Sequence, residues 1–158
     1  MSAERNIVLD ALTAAARENG YKPVGNVYFY KEHPEVTCVL NLQRSAWGPQ
    51  HYINAGVSLV RLAASRRPKL SGFHILWRAD SLAEETGDSP FGVALDLESQ
   101  MPDDARNQTI KEDVQRHAFV HLCQCTTEAS ALEVAHRIGA AVKQVVFVQK
   151  EAGNAVSH

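Results

Sequence analysis

The sequence predicts an α+β fold, in which an antiparallel sheet of four to six strands carries helices packed mainly on one face. Apolar and polar residues alternate through 27–78, which is typical of half-buried strands. Apolar residues before and after this region recur every three or four positions, which is typical of amphipathic helices. The turns between the predicted strands are too short to hold a crossover, so we expect the strands to pair antiparallel.

A β-hairpin over 36–60 forms the centre of the predicted sheet. Its two strands are separated by a turn that contains Gly48 and Pro49, a dipeptide that marks chain reversal. Alternation assigns eight residues to one apolar face: Val36, Cys38, Leu40, Leu42, Ile53, Ala55, Val57 and Leu59. This face needs a cover, and the neighbouring helices are the candidates to supply it.

One helix and one strand are predicted ahead of the hairpin. The helix lies between Ser2, a plausible N-cap, and Gly20, which stands where a glycine ends a helix. Its apolar residues recur at helical spacing between 7 and 16. The aromatic segment 27–31 follows as a short strand that leads into the hairpin.

Behind the hairpin, residues 72–78 predict a further strand with Phe73, Ile75 and Trp77 on one face. The segment 90–97 is a candidate for a fifth strand. We expect both to extend the same sheet.

The last third of the chain predicts helices, and residues 145–148 favour a final strand, with a continuation of the helix as the alternative. One helix carries Asp103 and Asp104 in its first turn, where carboxylates are favourable. Thr126 and Thr127 are N-cap candidates for a second helix. The helix that carries Asp103 and Asp104 presents one face made of Ile110, Val114, His117, Ala118, His121 and Leu122.

Length and composition favour a single globular domain over 1–150, with a frayed tail at 151–158. Hydrophobic residues make up 45% of the chain and charged residues 22%, which is ordinary for a soluble protein. The N-terminus has no signal-peptide pattern, and no apolar run is long enough to span a membrane. Three cysteines without a disulfide spacing favour the cytoplasm. The net charge of −2 gives no support for nucleic-acid binding.

Acidic residues are concentrated in 79–105, which holds eight carboxylates and no Lys or Arg. Since the whole chain carries −2, the remainder carries +6. Solvated loops collect acids for solubility, which is the simpler interpretation, and the alternative is a surface for a basic protein partner. The partner-binding candidates are Glu84, Glu85, Asp88, Asp103 and Asp104.

The polar face of the predicted sheet is a second candidate site. Its side chains are rich in hydrogen-bond donors, which suits a ligand, although the wet side of a two-layer sandwich has the same pattern. The ligand-binding candidates are Asn41, Gln43, Tyr52, Asn54, His74 and Arg78.

Motifs for catalysis or for metal binding are weak. His117, His121 and Cys125 stand at i, i+4 and i+8 and would share a helix face, where half-buried histidines are a simpler interpretation than a metal site. No nucleophile elbow or phosphate-binding glycine motif is present. We therefore predict no metal and no cofactor, and we leave open whether the protein is an enzyme.

Several short motifs in the first half are similar to those of a known family. They are GYK at 20–22, NLQRS at 41–45, WG at 47–48 and YINAGV at 52–57. Over this half, the chain resembles the bacterial domain-of-unknown-function family DUF4304. The resemblance implies no established activity and supplies no catalytic residues. Some small bacterial families of this kind are suspected to be immunity proteins for secreted toxins.

Two functional hypotheses follow. The first is a non-enzymatic protein-binding domain, of toxin-immunity type, whose acidic surface meets a basic protein partner. The second is a small-molecule-binding protein or an enzyme that works on the polar face of the sheet. The sequence predicts no nucleic-acid or membrane partner and leaves the oligomeric state open.

Overall fold

A computed structural model describes residues 6–85 and 90–147. Six strands form a single antiparallel sheet in which their spatial order follows the chain. The strands are β1 (Lys22–Val24), β2 (Tyr28–Glu32), β3 (Val36–Arg44), β4 (His51–Leu59), β5 (Ile75–Arg78) and β6 (Ala141–Val142). The predicted α+β class and the predicted antiparallel sheet are confirmed.

Helices precede the sheet and fill the chain between β5 and β6. They are α1 (Ile7–Glu18), α2 (Ala79–Glu85), α3 (Phe91–Ala94), α4 (Asp103–Val114), α5 (Val120–Leu122) and α6 (Glu128–Ile138), with a π turn at Gln115–Phe119 that joins α4 to α5. In the part of the chain that the structure describes, no helix is long and apolar enough to cross a membrane.

The caps of the helices follow from short polar side chains and glycines. Asn6 begins α1, since its side chain accepts a hydrogen bond from the Leu9 N–H at 3.1 Å, while the predicted cap Ser2 lies outside the described residues. Gly20 follows this helix with a φ of +84°, as predicted for the residue that ends it. Thr127 caps α6 through a reciprocal capping box with Ser130.

The central hairpin has the predicted register. Val36 lies opposite Leu59, and Leu42 lies opposite Ile53. All eight residues predicted for the apolar face are at most 4% exposed, and all belong to the main core. That core also contains the apolar stripes of α1, α4 and α6. The helices therefore cover this face of the sheet, and its other face carries the polar side chains of β3 and β4.

Phe73 does not share a face with Ile75 and Trp77, contrary to the prediction. Ile75 and Trp77 belong to the main core, whereas Phe73 packs with Tyr30 and Val39 in a small second cluster. The chain forms a 3₁₀ turn immediately before Phe73 and enters the strand only at Ile75. Strand alternation therefore does not apply to Phe73.

Two further strand predictions are wrong. The segment 90–97 folds into α3, and its contact with the sheet is an isolated bridge between Gln50 and Asp96. The final strand is β6, which begins directly after Gly139 ends α6 with a φ of +71°. Residues 145–147, predicted as that strand, are helical, while Val148 and the predicted tail 151–158 lie outside the described residues.

Candidate functional site

A cleft of about 500 Å³ opens where β4 and β5 meet α2 and the segment 92–99. It combines residues of the polar sheet face with residues of the acidic segment, two groups that the sequence analysis treated separately. The cleft is lined by Gln50, Tyr52, Arg78, Asp80, Glu84, Gly92, Val93, Asp96 and Ser99.

Tyr52 and Arg78 form one wall of this cleft. Arg78 is the last residue of β5 and lies opposite Asn54 in β4. Tyr52 precedes Asn54 by two residues, so Tyr52, Asn54 and Arg78 all point to the same side of the sheet. Its guanidinium carbon lies 4.1 Å from the centre of the Tyr52 ring, which is a close cation–π contact. This contact fixes both side chains at the edge of the polar face.

Asp80 fixes the position of Arg78 and binds the backbone of β4. It is 4% exposed, and one of its carboxylate oxygens accepts the backbone N–H of Ile53 at 3.0 Å. The other oxygen accepts hydrogen bonds from Nε and Nη2 of Arg78. The hydrogen bond that Arg78 donates to Asp80 is the main reason why the pKa of Arg78 is raised, and the negative charges of Asp80 and Glu84 raise it further. Asp80 therefore accepts the N–H of Ile53 in β4, next to Asn54 and Arg78, which form the last residue pair between β4 and β5.

Arg106 shapes the opposite wall and was missed by the sequence analysis. Its side chain is buried, and its guanidinium donates to a series of backbone carbonyls. These are the carbonyls of Ala94 (2.7 Å), Asp96 (2.7 Å), Ser99 (3.2 Å) and Met101 (3.2 Å). The spacing of Arg106, Ile110 and Val114 places all three on the buried face of α4. This spacing was a signal in the sequence that the position is internal.

The central amides of the polar sheet face bind one another. Asn54 Nδ2 donates to Asn41 Oδ1 and to Gln43 Oε1, each at 3.0 Å. Asn41 in turn donates to the carbonyl of Val27 at 3.3 Å. Asn41 and Asn54 are buried, and Gln43 is exposed. The network stabilises the strands beside the cleft, and Asn41, Gln43 and Asn54 are not among the residues that line it.

His74 lies apart from the cleft. Its ring is buried, and Nδ1 accepts the backbone N–H of Leu59 at 2.8 Å. Burial lowers the pKa of His74, and the charges of Lys143 and Arg61 lower it further. The neutral ring therefore anchors the chain where β4 ends.

The acidic candidates are distributed over three separate clefts. Glu84 lines the cleft with Arg78, whereas Glu85 lines a groove on the other side of α2. Asp103 and Asp104 lie with Asp10 in a cleft between α1 and α4. Asp88 lies outside the described residues. Of the predicted partner-binding acids, the structure thus brings Glu84 to the predicted sheet residues Tyr52 and Arg78.

His117, His121 and Cys125, which the sequence spaces at i, i+4 and i+8, do not lie on one regular helix. His117 lies in the π turn, which changes its spacing to His121 relative to a regular helix. Burial raises the pKa of the Cys125 thiol to about 12, so this sulfur stays protonated near neutral pH. Within residues 6–85 and 90–147, no group of three or more His, Cys, Asp or Glu is placed to hold a metal ion.

Fold and cleft together define an α+β protein in which a six-stranded antiparallel sheet, covered by helices on one face, carries an acidic cleft at its edge. The family model described as "Domain of unknown function (DUF4304)" matches residues 12–152. The chain therefore belongs to this family, and the match extends well beyond the first half where the motifs placed it. No curated protein and no solved structure matches the chain.

Proposed function

We propose that this protein is a non-enzymatic protein-binding domain whose acidic cleft receives a positively charged side chain of a basic partner. The observation that carries the proposal is the charge of the cleft. Asp80 is paired with Arg78, while the cleft also contains the carboxylates of Glu84 and Asp96. The cleft therefore has an excess of negative charge.

The wall formed by Tyr52 and Arg78 suits a cationic guest. Arg78 is held by Asp80 and stacked on Tyr52, so its charge is offset where it faces the cleft. A Lys or Arg side chain that enters would meet Glu84, which is exposed, and Asp96, which is half-buried. Charge-assisted hydrogen bonds to carboxylates are stronger than neutral ones.

The arrangement of the carboxylates favours binding over hydrolysis. Asp80 is engaged by the Ile53 N–H and by Arg78, and one Asp96 oxygen accepts the Glu98 N–H at 3.0 Å. Glu84 and Glu85 are adjacent in sequence and line different clefts. They do not form the facing pair of carboxylates that glycoside hydrolysis requires.

A toxin-immunity role is the most specific form of this proposal. An acidic surface accelerates the capture of a cationic toxin by long-range attraction, and such steering weakens as salt screens the charges. An association rate that is the same at low salt and at about 150 mM salt would contradict steering.

A small cationic molecule is the second candidate occupant. The cleft volume of about 500 Å³ lies within the range of small-molecule sites. The same two carboxylates, Glu84 and Asp96, would hold an amine. The binding site is then the same cleft, and the ligand is a small molecule instead of a protein.

The test is capture of proteins from the native host by three tagged forms of the chain. They are the wild type, the cleft variant Glu84→Gln/Asp96→Asn, and the control Asp103→Asn/Asp104→Asn, which removes the same charge from another cleft. We expect a basic protein that the wild type and the control retain and the cleft variant loses. Retention by all three forms would contradict the proposal. If no form retains a protein, binding of spermidine to the wild type and not to the cleft variant would support the second candidate.

A further inference from the structure

A second groove, of about 550 Å³, lies on the other side of α2 and has a different character. It is lined by Leu82, Glu85, Arg116, His117, His121, Arg137 and Ile138. Two guanidinium groups and two imidazoles face a single carboxylate there, and none of these residues lines the acidic cleft. The two sites can therefore be tested separately.

The π turn at Gln115–Phe119 forms one side of this groove. Such turns interrupt a regular helix at some cost and are frequent at functional sites. The carbonyl of His117, inside the turn, accepts a hydrogen bond from Trp77 Nε1 at 3.0 Å. The Trp77 ring also meets the His121 ring edge to face, with their centres 6.4 Å apart. The backbone at His117 and the ring of His121 are thus held against Trp77 of β5.

His121 carries a buried ring nitrogen that lacks a partner. Among the described residues, His121 Nδ1 is the buried side-chain nitrogen or oxygen without a hydrogen bond. A buried polar atom without a partner is costly, and such atoms in native proteins call for an explanation. Nδ1 itself is closed to solvent, so an anion in the groove would act on the His121 ring through its charge and not through a bond to this atom.

Arg137 and Arg116 bring positive charge to the same groove from α6 and from the π turn. Arg137 Nη2 donates at 2.8 Å to Gln124 Oε1, which is an uncharged acceptor. Arg116 lies 3.7 Å from Asp113 and is largely exposed. Burial lowers the pKa of His121, and the charge of Arg137 lowers it further. Arg137 is therefore the arginine of the groove whose charge acts on His121.

Apolar surface continues from this point. Leu82, Glu85 and Ile138 line the groove and also line an adjoining one, which extends along Leu76 and Trp77 and is also lined by Arg78 and Ser81. These two adjoining grooves, which we call the channel, have Arg137 at one end and residues of β5 and β6 at the other. A guanidinium binds carboxylates and phosphates through paired hydrogen bonds.

We propose that this channel binds a small organic anion, whose charged group meets Arg137 and His121 and whose apolar part lies along Leu82 and Ile138. Bound anion charge favours protonated His121 and therefore raises its pKa. Glu85 of α2 faces the same groove and opposes an anion, while Asp113 acts mainly on the neighbouring His117. Removing the Glu85 charge should therefore tighten binding.

The test is titration of the purified full chain with phenyl phosphate, followed by NMR of the histidine rings. We expect saturable binding, a rise in the apparent pKa of His121, and an affinity about tenfold lower, or worse, for Arg137→Gln. Arg17→Gln is the matched control, because Arg17 is an exposed arginine at the end of α1 and is expected to bind as the wild type does. Glu85→Gln should bind more tightly than the wild type.

Two comparison probes separate the halves of the proposal. Inorganic phosphate tests the anion alone, and phenol tests the apolar part alone. Both should bind more weakly than phenyl phosphate. No saturation up to about 10 mM phenyl phosphate, equal weakening by Arg137→Gln and Arg17→Gln, or phenol binding as tight as phenyl phosphate would overturn the proposal.

Discussion

The Arg78 guanidinium carbon lies 4.1 Å from the centre of the Tyr52 ring, and the same guanidinium is bound by the buried Asp80. A charge that is stacked on one side and paired on another is fixed in place before any partner arrives. The acidic cleft therefore has a preorganised wall, and ordering this wall adds little to the cost of binding.

Replacing Asp80 should weaken the fold at this wall. Asp80→Ala removes the acceptor of the buried Ile53 N–H and the partner of Arg78. We expect a loss of about 2–3 kcal/mol in the free energy of unfolding, measured by urea denaturation. Asp80→Asn keeps an oxygen for the Ile53 N–H and should lose less. Equal losses for the two variants would show that the backbone hydrogen bond is unimportant.

Arg106 should not be replaceable by lysine, although the charge is kept. A single ammonium cannot reach the carbonyls of 94–101 that the planar guanidinium binds together. We expect Arg106→Lys to lose about 2–3 kcal/mol of unfolding free energy. The exposed Arg44 provides the control, since Arg44→Lys should change stability by less than about 0.5 kcal/mol. Similar values for both substitutions would contradict a structural role for Arg106.

Gly56 should not tolerate a side chain. A Cβ added there would lie 2.3 Å from Phe73 Cδ2 and 2.6 Å from the carbonyl oxygen of Ile75, which is backbone and cannot move aside easily. We expect Gly56→Ala to cost about 3 kcal/mol in thermal or urea unfolding. Gly48→Ala is the matched control, because nothing lies within 4 Å of a Cβ at Gly48. A Gly56→Ala protein as stable as Gly48→Ala would show that this packing of Phe73 is wrong.

Stability should fall as the pH falls below about 6.5, the ordinary pKa of histidine. His74 Nδ1 accepts the Leu59 N–H, and burial lowers its pKa in the folded state. The unfolded chain therefore binds more protons than the folded chain below this pH, and the free energy of unfolding decreases until the lowered folded-state pKa is passed. His74→Asn keeps an acceptor that does not titrate, so its stability should depend less on pH between 7.5 and 5. If the free energy of unfolding changes equally with pH in the variant and the wild type, His74 does not cause the pH dependence.

The sheet was predictable because its signals are local. Strand alternation in β3 and β4 placed all eight inward residues correctly, and Gly20 and Thr127 marked helix ends through their own backbone and side-chain chemistry. The prediction for Phe73 was wrong because a 3₁₀ turn precedes the strand. The direction of the Phe73 side chain therefore depends on the space above Gly56. That space is visible only after β4 and β5 pair.

The cleft was predictable only in parts. Tyr52, Arg78 and Glu84 were each candidates, assigned to two different surfaces by their positions in the sequence. These three residues come together because α2 follows β5 directly, which places Glu84 near the strand that carries Tyr52. Arg106 contacts its carbonyl partners through a loop with no regular pattern, and no local rule describes that contact.

The most direct measurement of the central claim is the affinity of a short lysine-rich peptide for the cleft, determined by calorimetry at low salt. We predict that Glu84→Gln/Asp96→Asn weakens binding about tenfold or more, while Asp103→Asn/Asp104→Asn, with the same change in net charge, binds as the wild type does. Equal weakening by the two double variants would show that the peptide responds to overall charge alone, and the account of the cleft as the binding site would then be wrong.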